Sequence, residues 1–173
     1  MDKITTLLNE YGDAIYNFCL YTAKNKQDGE DLFQQTFLQA AKISSKIDKN
    51  NNPKSYLLSI TINIWRNILQ KQIRRNRIAT MVDIGTSKYE LIQDDGVDVE
   101  SEAINKIESD MLLQIINRLN DKHRMPIILF YLEGMKISEI SSLLHKPDGT
   151  IKRLLHEAKE KIKQEMESLG YER

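Results

Sequence analysis

Cysteine, glycine and proline are all scarce in this chain, whose 173 residues include one cysteine, seven glycines and three prolines. Because Cys19 has no second cysteine to pair with, an internal disulfide is excluded. The shortage of glycine and proline argues against a turn-rich all-β fold. Hydrophobic residues nevertheless make up 40% of the chain, which is enough for the packed cores of one or two small domains.

Long apolar segments are missing as well. The longest one, Leu57 to Leu69, is interrupted by polar residues and falls short of the roughly 20 residues that a membrane-spanning helix requires. The N-terminus shows no positively charged segment followed by an apolar one and a small-residue cleavage site. We therefore expect a cytoplasmic protein with no stable membrane insertion.

Motifs for catalysis, metal binding and phosphate binding are also absent from the sequence. The histidines are too far apart to share a helical face, and no cysteine pair or HExxH spacing offers a metal site. There is no glycine-rich phosphate loop and no GxSxG nucleophile motif. We expect a protein that is not an enzyme and that binds neither a metal nor a cofactor.

Charge is balanced over the whole chain, with 25 basic and 25 acidic residues, but it is distributed unevenly. Residues 1–80 carry a net charge of +5, residues 81–110 of −7 and residues 111–173 of +2. The basic excess is greatest between Lys42 and Arg77, where nine basic residues occur with only one acidic residue. Such a block is typical either of a solvated face or of a surface that binds a polyanion.

Apolar residues at three- and four-residue spacing predict three helices in the N-terminal half, the first over residues 4–19. The second has Asp28 as its predicted N-cap. Its predicted apolar face comprises Leu32, Phe33, Phe37, Leu38 and Ala41. The third begins at Pro53, whose missing N–H costs nothing at a first helical position, and runs to about Arg75. We expect this helix, apolar on most sides, to be the central helix of a bundle, with its basic end, Gln70–Arg77, projecting from it.

An acidic segment without sustained periodicity follows, and the helical pattern resumes at Ile104. This segment has the composition of a linker rather than of a packed element. The sequence therefore predicts an all-α protein of two small helical domains, residues 1–78 and 104–173, joined by an irregular acidic linker at residues 79–103.

The second domain contains the most specific local pattern in the chain. An apolar helix that stops at Glu133-Gly134 is followed by a short helix, which Ser138 can cap, and by a polar turn at residues 145–149. A longer helix then turns its apolar residues inward, namely Ile151, Leu155, Ala158 and Ile162. This pattern is typical of a helix-turn-helix whose second helix enters the DNA major groove. The alternative is an ordinary helical hairpin with a charged outer face.

Three segments follow one another in the chain: QDGEDLFQQTFLQAAK (Gln27–Lys42), the predicted helix from Pro53 to Arg75, and the segment Leu132–Lys163. In this order they resemble the extracytoplasmic-function (ECF) group of bacterial RNA polymerase sigma factors, within the sigma-70 family. The resemblance implies sigma region 2, which binds the clamp helices of the largest polymerase subunit and meets the downstream promoter element as it melts. It also implies sigma region 4, a helix-turn-helix that reads the upstream element.

The resemblance also assigns binding residues. Polymerase binding falls on Asp31, Gln34, Gln35, Phe37 and Leu38. Binding of the downstream element and of the melted single strand falls on Asn50, Asn51, Asn52, Lys54, Tyr56, Asn63, Arg66, Asn67, Lys71, Arg74 and Arg75. Binding of the upstream element falls on Lys146, Thr150, Lys152, Arg153, His156 and Lys159.

Some positions depart from the family pattern or have two interpretations. Gln35 stands where the family usually has an acid, and Ala41 where it often has tryptophan. Leu154 and Glu157 stand where the family commonly has basic residues. Glu157 either accepts a hydrogen bond from a cytosine amino group or repels a phosphate. Trp65 is either a stacking aromatic for a base or a buried core residue.

We expect a promoter-specificity subunit that recruits core RNA polymerase, reads two promoter elements and traps the melted strand. Its partners are then core RNA polymerase, promoter DNA in double-stranded and melted form, and the anti-sigma factor that the resemblance implies. Two alternatives stay open: a free-standing helix-turn-helix regulator that acts without polymerase, and a helical adaptor that binds no DNA. The Gln27–Lys42 segment distinguishes a sigma factor from the first alternative, because a regulator that acts without polymerase does not need a polymerase-binding segment.

Overall fold

The computed structural model describes residues 3–48, 51–79 and 110–171, and all regular secondary structure within these ranges is helical. The chain divides into two compact units, residues 1–92 and 93–173. The first contains α1 (Lys3–Ala23), α2 (Lys26–Lys42), a short 3-10 turn (Ser44–Lys46) and α3 (Pro53–Ala79). The second contains α4, described over residues 110–118, then α5 (Asp121–Ile127), α6 (Ile137–Leu144) and α7 (Asp148–Ser168). The predicted all-α fold is confirmed.

The first unit is a three-helix bundle in which each helix contacts the other two. Its core takes apolar side chains from all three helices, among them Leu7, Ile15, Phe18, Leu32, Leu57, Leu58 and Ile62. Helix α3 therefore forms one side of the bundle. It is not the central helix that its apolar sequence predicted, because three helices share an interior that encloses none of them. It begins at Pro53 as predicted and continues to Ala79, past the predicted end at Arg75.

Gly29 sets how closely α1 and α2 approach each other. A Cβ added at this position would lie 3.0 Å from the Cα of Leu20 and 2.8 Å from its Cδ2. The contact with backbone leaves no room for a side chain, so only glycine permits this helix separation. Across the same interface, the Tyr16 hydroxyl donates a hydrogen bond of 3.2 Å to Glu30, and the Tyr16 ring meets Phe33 edge-on with centroids 5.4 Å apart.

A small polar cluster of Cys19, Thr36 and Thr61 is fully buried where the three helices meet. Each threonine hydroxyl donates to the carbonyl one turn earlier in its own helix, over 2.8 Å for Thr36 and 3.0 Å for Thr61, and the two hydroxyl oxygens lie 3.1 Å apart. Burial raises the pKa of the Cys19 thiol to about 12, although hydrogen bonds with the two threonines oppose this shift. The thiol is therefore protonated throughout the physiological pH range.

The second unit packs α5, α6 and α7 around a core that α4 also joins. Its buried side chains include Ile115, Ile128, Leu129, Ile140, Ile151 and Leu154. Helix α5 continues into a π-helical turn at Ile128–Leu132, where the Glu133 N–H donates to the Ile128 carbonyl over 3.1 Å. Gly134 follows with a left-handed φ of 65°, so the chain leaves the helix at Glu133-Gly134, as predicted.

Two predicted N-caps are wrong. Helix α2 is capped by Asn25, whose Oδ1 accepts the Asp28 N–H over 2.8 Å, and Asp28 itself lies in the first turn. Helix α6 starts after Lys136 at the N-cap position, and Glu139 accepts the Lys136 N–H over 2.7 Å, so Ser138 is inside the helix. In both cases the helix begins earlier than predicted because a polar side chain outside the apolar pattern satisfies a free N–H.

No helix among residues 3–48, 51–79 and 110–171 is long and apolar enough to cross a membrane.

We predict that Cys19 in the native protein reacts with a thiol reagent such as DTNB only as fast as the chain unfolds. Its side chain is inaccessible, and its high pKa leaves almost no thiolate to act as a nucleophile. Labelling should therefore follow the unfolding rate between pH 7 and 9. A Cys19→Ser chain that also carries Asn17→Cys at an exposed α1 position is the control and should react at once. Equally rapid labelling of both proteins would contradict the prediction.

Candidate polymerase and promoter surfaces

The outer face of α2 carries a stripe of exposed side chains at three- and four-residue spacing. This α2 stripe comprises Asp31, Gln34, Gln35 and Leu38. Residues at this spacing project from the same side of a helix, so one partner surface can contact all of them. Leu38 is 64% exposed and places a large apolar side chain among polar neighbours.

The inner face of α2 differs in part from the predicted apolar face. Leu38 and Ala41 are exposed, whereas Ala40 is buried, because the helical repeat that starts at buried Leu32 reaches position 40 two turns later. Phe37, which was assigned to polymerase binding, is also buried, and its ring centroid lies 5.0 Å from that of Phe33. Phe37 therefore supports the α2 stripe from beneath and is not part of its exposed surface.

The loop before α3 was predicted to capture a single-stranded base, and Asn50 of this loop lies outside the described residues. Asn51 is exposed. Asn52 has a left-handed φ of 47°, and its side chain accepts the Ser55 N–H over 3.1 Å, so it caps α3. Lys54 and Tyr56, both partly exposed, follow in the first turns of α3.

One face of α3 is polar from Asn63 to Arg74. Asn63, Asn67 and Arg74 are exposed and share this face, at intervals of four and seven residues. Lys71 and Arg75 flank it as exposed basic side chains, and Arg66 is partly exposed beside it. Trp65 lies on the opposite side and is buried, so of its two interpretations the core residue is the correct one.

The helix-turn-helix consists of α6, a three-residue turn and α7. The turn is shorter than predicted, because Asp148 and Gly149 already belong to α7. His145 takes a left-handed φ of 53°, and the Ser141 hydroxyl donates to the Lys146 carbonyl across the turn. These contacts hold the α6 end and the α7 start in one fixed geometry.

The outer side of α7 presents most of the predicted upstream-promoter residues to solvent. Lys152, Arg153, His156 and Lys159 are exposed, as is Lys146 in the turn, whereas Thr150 is partly exposed. Leu154 is fully buried next to Leu155, so it is a core residue. The departure from the family pattern at Leu154 therefore lies in the core and not on the exposed side of α7.

Glu157 occupies the edge of this surface and is held by two other side chains. The buried His123 of α5 donates from Nε2 to Glu157 Oε2 over 2.7 Å, and Arg153 donates from Nη1 to Oε1 over 3.1 Å. The hydrogen bond with His123 holds the pKa of Glu157 below its ordinary value, and the charge of Arg153 acts in the same direction. Both oxygens are thus engaged within the protein. No sequence pattern pointed to His123, whereas the four-residue spacing of Arg153 and Glu157 on α7 was a local signal for their ion pair.

Comparison with known proteins places both units in one family. Residues 7–76 match the model for sigma-70 region 2, and residues 109–162 match the model for sigma-70 region 4. The ECF RNA polymerase sigma factor SigW of Bacillus subtilis is 27% identical over 174 residues, covering 97% of this chain and 91% of SigW. The chain therefore belongs to the sigma-70 family, as a member of its ECF group.

Two solved structures share the fold. The sigma factor RpoE from Bartonella quintana, in complex with the anti-sigma factor NepR, has a TM-score of 0.73 at 21% identity and covers 98% of both chains. CnrH, in complex with the cytosolic domain of CnrY, has a TM-score of 0.63 at 16% identity, covering 95% of this chain and 88% of CnrH.

We predict that Glu157→Gln lowers the free energy of unfolding at neutral pH. The difference in this free energy between the variant and wild type should become smaller as the pH is lowered. The pKa of the Glu157 carboxyl is lower in the folded protein than in the unfolded chain, where it is about 4.3. Ionised Glu157 therefore stabilises the folded protein at any pH above the unfolded pKa. This stabilisation is lost as the pH falls through the folded pKa. Urea unfolding between pH 7 and 3 measures the difference. Glu167→Gln, which removes an exposed carboxylate 3.9 Å from Lys163 on the same helix, is the control. A Glu157→Gln difference that is constant with pH would contradict the prediction.

Proposed function

We propose that this chain is an RNA polymerase sigma factor that directs core polymerase to specific promoters and assists promoter melting under the control of an anti-sigma factor. The observation that carries the proposal is the α2 stripe, with its exposed Leu38, in the same chain as a helix-turn-helix. A helix-turn-helix by itself suits any DNA-binding regulator. A second exposed helix face that mixes apolar, amide and carboxylate groups calls for a protein partner.

The α2 stripe is the proposed contact with core polymerase. Leu38 supplies apolar area, while Asp31 and Gln34 supply an acceptor and an amide one turn apart. Phe37 and Phe33 pack beneath and keep the helix face rigid. This arrangement gives Phe37 a supporting role in polymerase binding.

The polar face of α3 and the loop before it are the proposed contacts with the downstream element. Asn63 and Asn67 can hydrogen-bond to base edges, whereas Lys71, Arg74 and Arg75 attract the phosphate backbone. The Asn50–Asn52 loop, with Lys54 and Tyr56, is the proposed site for a base flipped from the melted strand. Amide groups pair with an exposed base edge, and an aromatic ring at the helix start can stack on the base.

The outer side of α7 is the proposed reader of the upstream element. Lys152 suits a phosphate contact because its ammonium group is a compact point charge. Arg153 suits a bidentate contact to the O6 and N7 atoms of guanine. Lys146, Thr150, His156 and Lys159 complete the proposed surface.

The two DNA-reading surfaces belong to separate units, with proposed bounds of residues 1–78 and 104–173 and a linker at 79–103. Two weak sites on a linker cooperate only when their spacing suits the target, and core polymerase would fix that spacing. The sigma factor RpoE, which shares the fold, is in complex with an anti-sigma factor, and this supports a partner of the same kind for this chain. We propose that the chain acts in the cytoplasm and contributes binding while polymerase supplies all catalysis. The α2 stripe speaks against the free-standing regulator.

We predict that the purified protein directs core RNA polymerase to specific start sites and that the double variant Asp31→Ala, Gln34→Ala loses this ability. Both side chains are exposed, so their removal takes away partner contacts and leaves the core intact. Sequencing of transcripts made in vitro and pull-down of core polymerase measure the effect, with circular dichroism to show unchanged helix content.

The matched control is Asp13→Ala with Asn17→Ala, an exposed acid and amide one turn apart on α1. This control should recruit polymerase like wild type. Pull-down of polymerase at wild-type strength by the α2 variant would remove the assignment. Tight, sequence-specific binding to duplex DNA without polymerase would instead favour the free-standing regulator.

We predict that Arg153→Ala and Lys152→Ala weaken transcription in different ways. Loss of a guanine contact should cost about 1 to 3 kcal/mol and relax the preference at one base of the upstream element. Loss of a phosphate contact should weaken all promoters alike and lower the salt dependence by about one ion. Transcription from a library of upstream elements at several salt concentrations separates the two effects.

Lys163→Ala is the control for charge, because it removes an exposed lysine from the same helix outside the proposed contact surface. If neither Arg153→Ala nor Lys152→Ala changes promoter choice or salt dependence relative to this control, α7 does not read the groove by this side.

A further inference from the structure

A chain of side-chain contacts runs from the interior of the second unit to a proposed DNA-reading residue. It starts at His123 on α5, passes through both carboxylate oxygens of Glu157, and ends at Arg153. The side chain of His123 is 6% exposed, that of Glu157 34% and that of Arg153 59%. The contacts thus lead from a buried ring to a solvent-facing guanidinium.

The His123 ring is fixed from its other side as well. Asn120 Oδ1 accepts the backbone N–H of His123 over 3.2 Å and lies 2.7 Å from ring Nδ1, and Lys161 Nζ lies 3.4 Å from the same nitrogen. A carboxylate only accepts hydrogen bonds, so the proton between His123 and Glu157 belongs to Nε2.

Because Glu157 is held by His123, the Arg153–Glu157 pair forms at a lower conformational cost than an ordinary surface ion pair. An exposed pair four residues apart on a helix usually contributes little, because two long side chains must be ordered to form it. Here a buried ring already orders Glu157, so pairing restricts only Arg153. Glu157 engages one nitrogen of a guanidinium that has five N–H groups in a fixed fork, and the others stay available to a base.

We propose that His123 is a positioning residue for promoter recognition. Through Glu157 it holds the guanidinium of Arg153 in the orientation that reads a guanine edge, although His123 itself is buried and touches no DNA. The inference rests on the proposed DNA-reading role of Arg153. Promoter choice at one base then depends on a residue of α5, outside the recognition helix.

The test measures discrimination by the full-length protein with core polymerase. Discrimination is the ratio of transcription from the preferred upstream element to that from elements substituted at the base that Arg153 reads. Because both rates come from the same preparation, a reduced fraction of folded protein cancels in the ratio. His123→Leu removes the donor, and His123→Gln keeps an N–H donor near the position of Nε2.

We expect His123→Leu to reduce discrimination roughly three- to tenfold, a part of what Arg153→Ala removes, and His123→Gln to stay within about twofold of wild type. In an Arg153→Ala background, His123→Leu should cause no further loss, because the residue that it positions is gone. Glu157→Ala removes the same bridge from a partly exposed position. It should reproduce the loss and replaces His123→Leu if that variant does not fold.

Arg118→Ala is the matched control, because it breaks a different ion pair with α7. Arg118 lies 3.4 Å from Glu165, and this pair does not involve Arg153. Its discrimination should equal that of wild type. If Arg153→Ala leaves discrimination unchanged, the proposed reading role of Arg153 fails. If Arg153→Ala reduces discrimination but His123→Leu and Glu157→Ala do not, or if His123→Leu and His123→Gln lose it equally, the positioning role is overturned.

Discussion

Each surface assigned here to a partner is the outer face of a helix whose inner face is already committed to a small core. In α2, exposed Asp31 lies opposite the buried side of the helix. In α3, Asn63 lies opposite buried Trp65, and in α7, Lys152 lies beside buried Ile151. Each unit has only three or four helices, so α2, α3 and α7 serve both core packing and the proposed recognition. The same close packing that stabilises the fold therefore sets the direction of the binding side chains.

The helical period predicted the order and type of the elements, and the start of α3 at Pro53 followed from the chemistry of proline. The period does not decide which of two adjacent small or apolar residues points inward. It therefore placed exposed Ala41 on the apolar face of α2 in place of buried Ala40, and it left buried Leu154 out of the inward residues of α7. Helix starts were misassigned where the true cap lay outside the apolar pattern, as with Asn25. Most residues that the resemblance assigned to binding are exposed or partly exposed, but buried Phe37 is among them because a motif records positions in the sequence and not burial.

The bond between His123 and Glu157 lies beyond any local rule, since 34 residues separate its partners. From the sequence, Glu157 is an acid in a basic helix and has to be explained by DNA. In the folded unit it accepts from two cationic or polar groups and reduces the repulsion among the neighbouring basic side chains. An acidic residue in a helix proposed to bind DNA thus fits a positively charged surface when its own hydrogen-bonding capacity is used within the protein.

A substitution at Gly29 would displace the α2 stripe even though Gly29 is not part of it. It is buried on the inner side of α2, away from the α2 stripe. Any side chain at this position has to move α2 away from the backbone of Leu20, and the four outward residues would move with the helix. If the α2 stripe binds polymerase as proposed, a genetic screen for lost recruitment would recover substitutions at Gly29 together with those at Leu38, and a packing position would be scored as a contact.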